Sequence, residues 1–289
     1  MPTVLISNDM SPELAVDVSI ALQAMGVAVR VNGSVVPLRQ PKIITVISPK
    51  GGSGKTAVAS NLAVALAQRC PGRVVAVDLD LQFGDLATAL SLTPEYTLAQ
   101  LSRTAQIDAT TVKLFLTLHE TGLFVLAAAN DPAEADSITP AHISSILPLL
   151  AKTFDFVIVD TPAGLDERTL AAIERATDLL LVSSLDVTSI RSLKKAIDAL
   201  DHLGIPAARH FVLNRADAKV GLDPSDAEKA IGMKIACAIP STRAIPLSLN
   251  LGKPVVVSEP RSPVARQLQQ LVQLFAPAVV QQQRKGWRR

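Results

Sequence analysis

Between an apolar run, Ile43 to Ile47, and an alanine-rich stretch beginning at Thr56 lies the segment Ser48-Pro49-Lys50-Gly51-Gly52-Ser53-Gly54-Lys55-Thr56. An apolar strand, a glycine-rich loop and a helix, in that order, make a cradle for phosphate. Glycines let the backbone close around an anion, successive N–H groups point at it, and the helix brings its positive end to the same place. Lys55 is then set to neutralise the β- and γ-phosphates, and the Thr56 hydroxyl to ligate a divalent cation. Gly51, Gly52, Ser53, Gly54 and Ala57 supply the rest of the loop and the first helical turn. The ordinary spacing G-x-x-x-x-G-K-[ST] is not met, because Pro49 stands where its first glycine belongs. The run reads K-G-G-x-G-K-T instead, with a second lysine, Lys50, at its head.

Downstream, apolar runs alternate with helical patterns at intervals suited to βαβ units. Candidate strands are Ile43 to Ser48, Val74 to Asp78, Leu123 to Ala127, Phe156 to Asp160, Leu179 to Ser183, Phe211 to Asn214 and Ile235 to Ile239. Candidate helices are Thr56 to Arg69, Pro140 to Lys152, Asp166 to Ala176, Val187 to Leu203, Asp223 to Ile231 and Ser262 to Phe275. With 48% apolar residues but only 3% aromatic, the core must be built from Ala, Leu, Val and Ile. That suits an α/β fold with a doubly wound, mostly parallel sheet covered on both faces. Ahead of it, residues 1–40 form a short βαβ unit: a strand at Val4 to Ser7, a helix over Pro12 to Met25, a strand at Val27 to Val31, then a linker from Asn32 to Lys42. The main domain is expected over 41–276 and a basic tail over 277–289.

In an open parallel sheet the chemistry gathers at the carboxyl ends of the strands. Asp78, Asp80 and Asp160 all stand there, facing the loop. The lysine-headed loop resembles that of the MinD/ParA family of deviant Walker ATPases, a P-loop NTPase fold. Three softer stretches, Val77 to Leu86, Ala127 to Pro132 and Phe154 to Pro162, resemble its CpaE/TadZ branch, found with type IVb (Flp/Tad) pilus machinery. The resemblance spans residues 43 to about 275.

The resemblance implies ATP and Mg²⁺ as cofactors. It implies that Asp160 holds Mg²⁺ through water beside Thr56, and that Asp80, also near the metal, positions the attacking water. It implies that Lys50 reaches across an ATP-promoted homodimer to phosphates bound by the other subunit. Asn214-Arg215 resembles the family's adenine contact, the Asn reading the base edge and the Arg covering it. Pro240, Ser241 and Thr242, with Arg243, line the base from the other side. Loops Leu81 to Leu86 and Thr161 to Asp166 are expected to sense the γ-phosphate, with Gly84 and Gly164 lending them freedom to move. The implied output is the positioning of a pilus or secretion apparatus at a cell pole. The alternatives are a ParA-like DNA-binding partition ATPase and a hydrolysis-poor nucleotide-binding scaffold.

Cys70 and Cys237 lie far apart and match no metal spacing, which suits a reducing, cytoplasmic setting; because Cys70 closes a helix and Cys237 lies within a strand, a cluster shared between two subunits as in nitrogenase-like iron proteins is not expected. No run approaches 18 apolar residues, and no signal peptide is expected. The net charge of +2 is uneven: from Lys253 onward seven basic residues meet one acid, Glu259. Arg284-Lys285-Gly286-Trp287-Arg288-Arg289 therefore suits weak, electrostatic contact with an anionic membrane or with DNA.

Overall fold

The computed structural model describes residues 40–129 and 131–276, apart from the Pro132 side chain, together with the backbone of three short strands nearer the start. The chain divides into two compact units, Met1–Gln40 and Pro41–Arg289. In the first, β1 (Thr3–Ile6) pairs in parallel with β2 (Ala28–Val31), Thr3 opposite Ala28. The helix expected over Pro12 to Met25 lies outside the described residues, as does the basic tail from Pro277. The linker expected from Asn32 is interrupted by β3 (Ser34–Val35), antiparallel to β2 with Val31 opposite Ser34. The dipeptide between those partners in the sequence is Asn-Gly, a pair favoured in two-residue hairpin loops.

The second unit holds an eight-stranded sheet. Its strands are β4 (Lys42–Ile47), β5 (Val74–Asp78), β6 (Thr117–Leu118), β7 (Leu123–Leu126), β8 (Phe156–Asp160), β9 (Asp178–Ser184), β10 (Ala208–Asn214) and β11 (Ile235–Ile239), in the spatial order β11-β10-β9-β4-β8-β5-β7-β6. All neighbours are parallel except β6, a two-residue antiparallel edge. Every residue of β5, β8 and β9 is buried. That is why these strands read as continuous apolar runs rather than alternating ones. Ile44 and Val46 of β4 pack to one side against α1 (Lys55–Arg69), while Ile43 and Ile47 pack to the other.

The remaining helices are α2 (Leu86–Ala89), α3 (Leu98–Ser102), α4 (Ala109–Leu114), α5 (Pro132–Ala135), α6 (Pro140–Thr153), α7 (Glu167–Arg175), α8 (Val187–His202), α9 (Pro224–Ile231), α10 (Ala244–Asn250), α11 (Val255–Ser258) and α12 (Pro263–Phe275). α11 and α12 share the α1 face; α6, α7, α8 and α9 cover the opposite one. Four of the helices, α6, α7, α8 and α12, start where the sequence offers caps: Thr139, Asp166, Asp186 and Ser262 each accept a first-turn N–H. Among the described residues no helix is long and apolar enough to cross a membrane.

β4 is the hinge of the topology. The chain leaves it toward β5 on one side and returns through β8 to β9 on the other, so a crevice opens beyond its carboxyl end. In register there, Val46 lies opposite Asp160 and Asp160 opposite Asp78.

Candidate nucleotide site

The loop leaving β4 turns through Gly52 and Gly54, both at positive φ (72° and 97°). Only glycine occupies such a backbone at little cost. At Gly54 a side chain would also run into Nδ2 of Asn214. Val58 is the first residue of α1 whose N–H reaches back, to Gly54 O at 3.0 Å. The amides of Lys55, Thr56 and Ala57 ahead of it are the first-turn donors that a helix cannot satisfy internally. Together with the positive helix end they suit an anion.

Lys55 is buried, and desolvation lowers its pKa, while Asp160 and Asp80 pull it back up. Its ammonium thus sits in an acidic surrounding at the mouth of the cradle. Asp160 is buried on β8; burial pushes its carboxyl up to about 7, opposed by the Thr56 hydroxyl and by Lys55. Thr56 is near enough to act on that charge, yet neither Asp160 oxygen has a partner in hydrogen-bond geometry, and Ser53 Oγ is likewise unpaired. Buried polar atoms are rarely left so. An acceptor pair beside a threonine hydroxyl, next to a loop shaped for phosphates, fits a hydrated Mg²⁺, which takes few protein ligands and completes its shell with water and phosphate oxygens.

The loops on either side are pinned at their roots. Leu79 N–H donates to Asp160 O (2.8 Å), Thr161 Oγ1 to Val46 O (2.8 Å) and Gly164 N–H to Ser48 O (3.2 Å). Gly164 does adopt positive φ, at 98°. Gly84 does not, and freedom to move is the wrong account of it. A Cβ there would stand 2.5 Å from Asp78 Oδ2 and 2.6 Å from Asp80 O, so glycine is required for close approach.

On the base side, Asn214 Nδ2 donates to Ser53 O (2.8 Å) and its Oδ1 accepts from Arg215 N (2.9 Å). The side chain expected to read the base therefore also ties the end of β10 to the phosphate loop. Each amide atom keeps one further hydrogen-bonding position. Arg215 takes φ 54°, unusual for a residue with a side chain. Asp217, which the sequence reading missed, accepts from Ser241 N at 2.6 Å, and Ala216 N–H donates to Ile239 O at 2.9 Å. Hence the two flanks of the base pocket are bonded together. Thr242 Oγ1 accepts from Ala244 N (3.0 Å) at the start of α10.

One cleft of about 470 Å³ joins these parts. Gly51, Gly52, Gly54, Lys55, Thr56, Ala57, Asp80, Asn214, Arg215, Pro240, Ser241 and Thr242 all line it, a size and composition suited to a nucleotide. Asp160 and Ser53 lie buried behind that lining. Asp85 and Ala163, from the two loops expected to sense the γ-phosphate, also line the cleft, and Ile245, Pro246 and Leu249, which sequence reasoning did not find, complete the walls. For Ile245 and Leu249 the available signal was an i, i+4 apolar pair beginning three residues after Thr242.

Lys50 is not among the lining residues. Its Nζ bonds Thr188 Oγ1 (2.9 Å) and Asp186 Oδ1 (3.2 Å) at the start of α8 in the same subunit. Partial burial works against the ionised form of Asp186, but hydrogen bonds from Ser189, Thr188 and Lys50 hold its carboxyl well below the usual range. Cys70 caps α1, and Cys237 in β11 is buried with its thiol pushed up to about 12, so neither lies at the cleft.

The family model described as an AAA domain matches residues 41–205, more than half of the chain. The chain belongs to that family. Within it the likeness is to MinD and ParA P-loop ATPases. A MinD septum site-determining protein of Emiliania huxleyi is 27% identical over 223 residues, covering 75% of this chain and 81% of that protein. The crystal structure of a ParA family ATPase from Chlorobium tepidum superposes with a TM-score of 0.75 at 26% identity, over 81% of this chain and 98% of that one. MinD of Pyrococcus horikoshii, solved with Mg-ADP, gives 0.73 at 26% identity over 81% and 95%. The eight-stranded, mostly parallel sheet with flanking helices is the fold these relatives share.

Proposed function

We propose that this protein is an ATP-dependent switch that hydrolyses ATP with Mg²⁺, dimerises when ATP is bound, and positions a larger cellular assembly. The observation that carries this reading is the meeting of Lys55, Thr56 and Asp80 in one cleft, with the unpaired Asp160 carboxyl behind them. The loop amides and Lys55 bind and orient the phosphates; the wall of Ile245, Pro246 and Leu249 excludes water from the base. Asp80 orients the attacking water in line with the bond to the departing ADP, and Asp160 and Thr56 would hold Mg²⁺. Mg²⁺ held there would supply the charge that stabilises the negative charge developing on the phosphoryl oxygens. Lys50, outside its own cleft, is available to a second subunit's phosphates. Solved relatives bear the names of a ParA family ATPase, a cell division ATPase and a septum site-determining protein, which supports a positioning role. The stretches Val77 to Leu86 and Phe154 to Pro162 point to a Flp/Tad pilus or secretion apparatus as the cargo, with the protein in the cytoplasm at a pole. A partition-type activity on DNA is the second reading, favoured by the excess of basic residues from Lys253 onward.

Purified protein with Mg·ATP tests the switch: phosphate release is expected from the parent, ATP binding with turnover cut to a small residual rate from Asp80→Ala, and no binding from Lys55→Ala. Parental turnover by Asp80→Ala removes Asp80 from its role.

A further inference from the structure

We propose that Asp78 is a positioning residue for hydrolysis: its carboxyl is the hub around which the loop carrying Asp80 is wound. The inference rests on the ATPase reading above and assigns a role to an acid that lines no part of the nucleotide cleft.

Asp78 ends β5 and is 1% exposed, directly opposite Asp160 in the sheet. A carboxyl so buried requires donors for its oxygens. It has two, and they come from the two ends of one loop. Oδ1 accepts from Asp80 N at 3.0 Å, and Oδ2 accepts from Leu86 N at 3.2 Å. Between these anchors Gly84 comes so close that a Cβ would touch Oδ2 at 2.5 Å and Asp80 O at 2.6 Å. Leu86 is itself fully buried, and Leu79 is held by Asp160 O, so the loop is fastened to rigid structure at both ends. What remains adjustable is the path from Asp80 to Asp85, the two loop acids that line the cleft. The carboxyl of Asp78 fixes that path by bonding the backbone of Asp80 itself. Because both incoming groups are N–H donors, only a carboxylate or a carboxyl with its proton turned away serves both. An Asn would place an NH₂ against one of them.

The test compares Asp78→Asn, Asp80→Ala and the double variant in the full chain. Mg·ATP affinity is measured by calorimetry, single-turnover hydrolysis by phosphate release, and amide exchange over residues 79–90 by mass spectrometry. Asp78→Asn is expected to bind Mg·ATP within about threefold of the parent, to hydrolyse it at least about tenfold more slowly, and to exchange faster at 79–90. The double variant is expected to be no slower than Asp80→Ala, because a residue acting only through Asp80 has nothing left to position. Parental hydrolysis and exchange in Asp78→Asn overturn the proposal, as does a double variant in which the two losses multiply. Should Asp78→Asn fail to fold, Gly84→Ala presses on the same anchor from the loop side and is expected to give the same split between binding and turnover. Parental turnover in Gly84→Ala then counts against the hub. A parent that hydrolyses no ATP defeats the ATPase reading instead, while the exchange measurement still decides whether Asp78 holds the loop.

Discussion

Substituting Asp160→Asn probes the buried acid pair through stability alone. Burial raises the Asp160 carboxyl from 3.8 to about 7 in the folded chain. Ionising it in the fold therefore costs about 4 kcal/mol more than ionising it in water, at 1.36 kcal/mol per pKa unit. The sign follows from proton linkage. The folded chain holds this proton where the unfolded chain has lost it, so the stabilisation is complete below about pH 4 and is lost as pH rises to about 7. Burial and the Asp160 charge also raise Asp78 well above its usual range, so neutralising one acid eases ionisation of the other. Urea unfolding at pH 4.5, 6 and 8, without nucleotide or Mg²⁺, provides the assay. Relative to Asp160→Asn, the parent is expected to lose stability progressively across that window, by an amount approaching 4 kcal/mol as an upper bound. Adding Mg·ATP should flatten the parental dependence, since a cation beside the ionised carboxylate removes its penalty. Equal pH slopes for parent and variant, with or without Mg·ATP, would refute the reasoning.

Lys50→Ala is expected to leave monomer affinity for ATP intact while abolishing ATP-promoted dimerisation, read by calorimetry and light scattering; equal loss of both marks Lys50 as a local phosphate ligand only. Gly54→Ala forces a side chain into positive φ and onto Asn214, and is expected to cost about 1–3 kcal/mol in an unfolding titration and to weaken ATP binding. Unchanged stability and affinity would show that the cradle tolerates a side chain at this point. Deleting Pro277 to Arg289 is expected to remove ATP-strengthened, low-salt co-sedimentation with anionic liposomes or duplex DNA while leaving basal turnover unchanged. At roughly 1 kcal/mol per basic residue near an anionic surface, the four cations of each tail give a dimer avidity that a monomer lacks. Binding that survives the deletion places the anionic contact elsewhere.

The main strands and long helices were legible because burial on both faces writes itself as unbroken Val, Ile and Leu, and because caps such as Asp166 and Ser262 punctuate the helices. Short elements carry too few residues to show a period. β-branched Val255-Val256-Val257 favours a strand by propensity alone, yet it forms the one-turn α11. There Val255 and Val256 are buried against the α1 face, and Val256 N–H donates to Asn61 Oδ1 at 3.1 Å. Local preference yields to packing in such a case. In the site, Lys55, Thr56 and the strand-end acids were readable because a phosphate loop imposes order along the chain. The bonds of Asn214 to Ser53 O and of Lys50 to Asp186 were not, since they join residues 161 and 136 positions apart with no local pattern to announce them.

The resting place of Lys50 sets how easily it can be given away. Its side chain is 46% exposed and that of Asp186 39%, so the ion pair is a surface one, worth at most about 1 kcal/mol. Asp186 loses little when the lysine leaves, because Ser189 N and Oγ and Thr188 Oγ1 continue to donate to it. A cation at the amino end of α8 also opposes the helix dipole, so departure relieves a small repulsion. The lysine is thus on loan to its own subunit. A stronger anion arriving from outside can claim it without unravelling a helix, a strand or a cap.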